Sequence, residues 1–205
     1  MKMDLERLRR AEADFLQAYP EGFADPALES VGRKHRMDRM TELAREMFAR
    51  SRFDKPNALL DDLVKLVSRS SMVSMFEKPK FRDAVHDMNS NERKRFVGAY
   101  RNLVHGSQAV GFEEAVDILA ARKIAKWSLM TIGLVYYRPE REVFVKPTTA
   151  KKIIEGLSLD LDYKPRPSWE FYRGYRDALL EIRKQVSPSL SVNNAALSGF
   201  LMMTL

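Results

Sequence analysis

Residues 57–70 read NALLDDLVKLVSRS. Leu59, Leu60, Leu63, Val64, Leu66 and Val67 recur at the three- and four-residue spacing of an α-helix and cover more than half of its circumference. A helix this apolar needs neighbours on several sides, so it is expected to be the central helix of a helical core. Asn57 is the expected N-cap, and the serine-rich run from Ser68 to Ser71 ends the element.

The flanking segments repeat helical periodicity. Leu5, Leu8, Phe15, Leu16 and Tyr19 share one face over residues 4–19, and Pro20 with Gly22 stops that helix. Residues 34–50 carry Met37, Met40, Leu43, Ala44, Met47 and Phe48 at the same spacing, beside the basic cluster Arg33, Lys34, His35, Arg36 and Arg39. A short helix is expected from Lys80 to Met88. Asn89 and Glu92 then form a capping box that opens a helix through Val104, with Gly106 as its stop. Further helices are expected over 112–127, 128–137, 148–157 and 169–186, the last capped by Ser168. Over 128–137 the apolar run also fits a strand, and Leu159 to Tyr163 alternates as an extended segment does. The expected fold is therefore all-α: a compact multi-helix single domain spanning 1–205, with room for one short strand pair and with 1–52 as an N-terminal helical extension.

Composition bounds the chemistry. A chain of 205 residues with 45% hydrophobic and 31% charged residues can bury a sizeable core, and nine glycines favour helices over strand-and-turn architecture. Without cysteine there are no disulfides, thiolate metal sites or cysteine nucleophiles, as befits a cytoplasmic protein. The segment MKMDLERLRR is charged where a signal peptide is apolar, and no window is long and apolar enough for a membrane span. His35, His86 and His105 lie far apart with no ligand spacing, Asp160 and Asp162 are explained by half-burial, and no metal or cofactor is expected. No GxSxG elbow, P-loop or GxGxxG is present.

The formal charge of +7 permits acidic partners, DNA or RNA among them. The stretch 126–172 is rich in aromatic, proline and basic residues and contains both tryptophans. Cations meet phosphates while aromatic faces stack on bases, so Arg138, Arg141, Lys146, Lys164 and Arg166, with Tyr137 and Trp169, form the expected nucleic-acid-binding set. A second expectation is an interaction module in which the apolar segment 193–205 mediates homo-oligomerisation. A third is a small enzyme in which Lys146, partly buried before a helix, acts as an amine nucleophile with Asp160 or Glu140. The residues name no reaction.

Several blocks carry a resemblance over nearly the whole length: YPEGF at 19–23, SRSSMVSMFEKPKFRDAV at 68–85, YYRPEREVFVKP at 136–147 and LDLDYKPRPSWEFY at 159–172. In their order and spacing these resemble a family of bacterial proteins with no settled function, so the resemblance implies no activity. The chain departs from that pattern at Glu142, where the family form has histidine, and in NNAALSGFLMM at 193–203. A weaker similarity is to helix-hairpin-helix DNA glycosylases, with Trp127 to Tyr136 as one helix and Val145-Lys146-Pro147-Thr148 as the start of the next. The glycine-rich hairpin is missing and Lys146 stands where the catalytic aspartate would be. That similarity implies a helical DNA-binding relative, or a scaffold reused for something else, rather than a working base-excision enzyme.

Overall fold

A computed structural model describes residues 3–205, and among them there is no strand. The helices are α1 (Leu5–Ala18), α2 (Glu29–His35), α3 (Met37–Met47), α4 (Pro56–Arg69), α5 (Glu77–His86), α6 (Ser90–His105), α7 (Gln108–Ala121), α8 (Trp127–Tyr137), α9 (Pro147–Gly156), α10 (Trp169–Arg183) and α11 (Asn194–Thr204). The all-α, single-core expectation is met, and the optional strand pair is not. Leu159 is buried, Leu161 and Tyr163 are half-buried, and Asp160 and Asp162 are exposed, as their alternation suggests. No second strand lies beside them, however. The Leu161 N–H turns back to the Leu159 carbonyl at 2.9 Å, and the Trp127 indole donates to the Lys164 carbonyl at 2.8 Å.

The centre of the core is α8, not α4. Every residue from Trp127 to Tyr136 is buried, so this helix is enclosed on all sides by α3, α4, α7 and the segment after it. The α4 residues Leu59, Leu60, Leu63, Val64, Leu66 and Val67 are buried as expected, but Asp61, Lys65 and Ser68 face outward. Asp62, on the same helix, pairs with Arg52 and Lys65. An amphipathic helix at the flank accounts for this pattern; a central one would have no charged face. Pro56 occupies the first turn of α4 and Lys55 the cap position, so Asn57 is not the cap.

Helix α7 starts at Gln108, four residues before the expected start at Phe112, and forms a tight hairpin with α6. The packing passes through Gly111, where a Cβ would lie 2.4 Å from the Ala99 carbonyl oxygen and 2.5 Å from the Leu103 nitrogen. The Asn89–Glu92 capping box at α6 is present in both directions, with the Asn89 side chain accepting from the Glu92 N–H and the Glu92 carboxylate from the Asn89 N–H. Ser168 caps α10 as expected.

Residues 3–52 join the same core: Leu8, Phe15, Met40, Ala44 and Phe48 are buried in it. Helix α11 also enters it, through Leu197, Phe200 and Leu201. Phe200 meets Phe15 of α1 edge-on at 5.4 Å, and Lys152 of α9 donates to the Met202 carbonyl at 2.8 Å.

A buried polar network fastens segment 139–146, which turns at 139–141, between α7, α10 and α11. The Glu142 carboxylate is 1% exposed and accepts from Gln108 Nε2 at 3.0 Å, Tyr172 Oη at 2.8 Å and Arg176 Nη1 at 3.3 Å. Its backbone carbonyl accepts from Asn194 Nδ2 at 3.0 Å. Arg176 also donates to Gln108 Oε1 at 2.8 Å, closing a ring of three side chains. Burial, then the Glu142 charge and its hydrogen bond, holds the Tyr172 hydroxyl well above the usual phenol range, so it stays a donor. With every oxygen of Glu142 occupied by its own chain, this network is a structural fastening.

Candidate docking groove and cationic depression

Of the residues expected to bind nucleic acid, Arg141, Lys146, Lys164 and Arg166 are exposed, while Tyr137, Arg138 and Trp169 are half-buried. Tyr137, the last residue of α8, packs edge-on against Phe48 at 5.4 Å and His105 at 6.1 Å. The Arg138 guanidinium lies 4.8 Å from its ring centroid and donates to the Val104 carbonyl at 2.7 Å, closing the end of α6. Trp169 is half-buried, 6.0 Å from Phe112 and 5.9 Å from Tyr172, with the Arg176 guanidinium at 5.4 Å. Lys164 pairs with Asp162 at 2.6 Å and Arg166 with Asp117 at 2.9 Å. Arg141 is exposed, 3.8 Å from Glu142. Lys146 is exposed at the cap position of α9 and has no ion pair among the described residues. Glu140, one of its expected carboxylate partners, pairs instead with Arg183.

A different region gathers unpaired cations and exposed apolar side chains. It is made by α2, α3, the start of the α4–α5 loop and α11. Arg36 separates α2 from α3 in a left-handed conformation, φ 47°, with its N–H on the Gly32 carbonyl at 3.1 Å. No glycine or proline marks this break, so residues 34–50 read as one helix in the sequence. For a non-glycine residue the conformation costs about 1 kcal/mol or more. The turn redirects the chain so that Lys34, His35, Arg36 and Arg39, together with Arg69 from the end of α4, line one depression of about 420 Å³. No carboxylate lines it. None of Lys34, Arg36, Arg39 and Arg69 has an ion pair among the described residues, whereas the adjacent Arg33 pairs with Glu29 at 3.1 Å.

His35, Arg36 and Arg39 also border an open apolar groove of about 540 Å³. Its walls are Phe23, Val31 and Met37 on one side and Val192, Met202 and Met203 on the other. Val192, just before α11, is 55% exposed, and Met202 and Met203 near the end of α11 are each 43% exposed, so apolar side chains lie bare beside the buried face of this helix. Asp38 is the one carboxylate in the lining. The His35 imidazole hydrogen-bonds through Nδ1 with Ser71 Oγ at 2.9 Å, and burial together with the Lys34 charge lowers its pKa.

The sequence did mark the basic cluster at 33–39 and the apolar segment at 193–205. It carried no signal that the two lie side by side. The Met-rich wall explains what the groove is suited to, because unbranched thioether side chains re-pack around different apolar shapes. Comparison of the chain with protein-family models, curated proteins and solved structures finds no match in any of the three.

Proposed function

We propose that this protein is a binding module whose groove between α2, α3 and α11 receives the apolar face of an acidic amphipathic helix from a partner protein. The carrying observation is the juxtaposition of an exposed methionine- and valine-lined trough, with Asp38 its one carboxylate, and a rim of cations that have no ion pair among the described residues. A helix in a groove presents anchors at i, i+3, i+4 and i+7, and acidic residues on its flanks would meet Lys34, Arg36, Arg39 and Arg69. A second copy of this chain, itself carrying a formal charge of +7, offers the cationic rim less charge complementarity than an acidic helix does.

The test is selection from a displayed library of amphipathic helical peptides, followed by fluorescence anisotropy with the peptides obtained. Peptides with an apolar stripe and net negative charge are expected to bind, and Val192→Asp or Met203→Asp is expected to weaken them by about tenfold or more, the scale of one desolvated anchor. Selected peptides that ignore both substitutions would overturn the groove. So would a selection that yields none.

A second reading keeps a nucleic acid at residues 136–172, and the exposed cations Arg141 and Lys146 support it. It predicts salt-sensitive binding to short single- or double-stranded DNA or RNA that weakens in Arg141→Ala and Lys146→Ala. Oligonucleotide binding unaffected by either substitution would remove it.

A further inference from the structure

We infer that the depression lined by Lys34, His35, Arg36, Arg39 and Arg69 is a phosphate-recognition subsite, so that the segment docking in the groove carries a phosphorylated serine or threonine at this end. The inference rests on the docking reading and names the chemistry of its ligand. Four like charges share one depression with no carboxylate in its lining, although this chain pairs cations with carboxylates elsewhere, as in Arg122–Glu92 at 2.7 Å and Arg101–Asp54 at 2.9 Å. Such a set is self-repelling until an anion enters.

Three of the four are arginines, whose planar forks match phosphate oxygens; a single carboxylate engages only one fork. A phosphate monoester brings close to two charges and three acceptor oxygens, enough to engage several of these side chains together. The backbone adds to this. Helix α3 begins at Met37 with Arg36 at its cap position and no side-chain cap, so its first-turn N–H groups lack a capping oxygen, and Arg36 and Arg39 at this helix end line the depression. His35, fixed by Ser71, borders both the depression and the groove, so an occupant of one abuts an occupant of the other.

The experiment titrates the full chain with O-phosphoserine, inorganic phosphate, sulfate, acetate and a short oligonucleotide, read by backbone amide NMR. Phosphoserine and phosphate are expected to give saturable shifts centred on residues 34–39 and 69–71, with acetate giving none. Arg39→Gln should weaken phosphoserine by about tenfold, and Arg39→Lys by less, because a fork is worth more than a point charge here. A peptide from the groove selection should bind more tightly with phosphoserine at one end than with serine there.

Equal, unsaturable responses to every anion would be ionic screening and would overturn the subsite. Tighter oligonucleotide binding on the same residues would overturn the phosphopeptide source in favour of a nucleic-acid backbone. The two readings fail separately. Val192→Asp removes groove peptides and leaves phosphoserine binding in place, whereas groove peptides that respond to Val192→Asp without any saturable phosphoserine shift would keep the groove and remove the subsite.

Discussion

Replacing Glu142 with alanine tests the fastening that holds segment 139–146. The carboxylate is 1% exposed and its partner Arg176 is 9% exposed. Their contact at 3.3 Å is therefore shielded from water and salt. Removing the carboxylate leaves the Arg176 guanidinium with Gln108 Oε1 and a distant, exposed Asp177 at 3.7 Å. It also strips the acceptor from the Tyr172 hydroxyl and from Gln108 Nε2. Breaking a buried pair from one side costs about 3–5 kcal/mol, most of it from the charge left without its partner. Against a total stability of about 5–15 kcal/mol for a domain, that loss is large. Urea unfolding followed by circular dichroism should show the midpoint falling by roughly 1–2 M at an unchanged slope. Glu142→Gln keeps one acceptor and should lose about 1.5–3 kcal/mol. The double variant Glu142→Leu/Arg176→Met should lose less than Glu142→Ala, because it leaves no buried charge behind. A Glu142→Ala loss below about 1 kcal/mol would refute the reasoning, since the network would then be no more than surface-grade pairing.

Three further outcomes follow from other features. Gly111→Ala should destabilise by about 1–3 kcal/mol or more, because the new Cβ meets α6 backbone atoms at 2.4–2.5 Å that cannot swing away; thermal unfolding beside Gly98→Ala, where nothing lies within 4 Å, checks it. Asn89→Ala removes the acceptor for the Asn91 and Glu92 N–H groups and should cost about 1 kcal/mol, measured by the same urea titration. The His35 pKa is lowered on folding, so the unfolded chain binds the proton more readily below the ordinary value of 6.5. The His35 contribution is therefore present above that value and declines as pH falls through it. Melting temperatures measured from about pH 7.5 to 5 should show a shallower decline in His35→Gln than in the parent, and equal slopes would refute it.

The sequence showed helices wherever apolar periodicity and a local cap coincided, as at Asn89 and Ser168, because both signals are carried by neighbouring residues. It misplaced the centre of the core. Helix α4 has a strong apolar face that any reader sees, whereas α8 is apolar all round and therefore has no face at all; a short run of that kind fits a helix or a strand equally well. The α2–α3 break escaped because Arg36 reaches a left-handed conformation without the usual glycine. Glu142 drew attention only as a departure from a resemblance, since its partners Gln108, Tyr172, Arg176 and Asn194 lie 30 to 52 residues away in the chain. The cationic depression joins α2, α3 and α4, and the groove adds α11. No local pattern encodes that meeting.

The contact of Phe15 with Phe200 sets a schedule for the newborn chain. Helix α1 leaves the ribosome long before α11 is made, yet the surface that covers Leu8 and Phe15 includes α11. At ordinary synthesis rates the delay is roughly 10–40 s, during which an amphipathic helix waits with its apolar face bare. Whatever shelters that face in the interval, its own helices α9 or α10 or a chaperone, must let go when α11 arrives. Closure of this part of the core thus waits on the synthesis of α11.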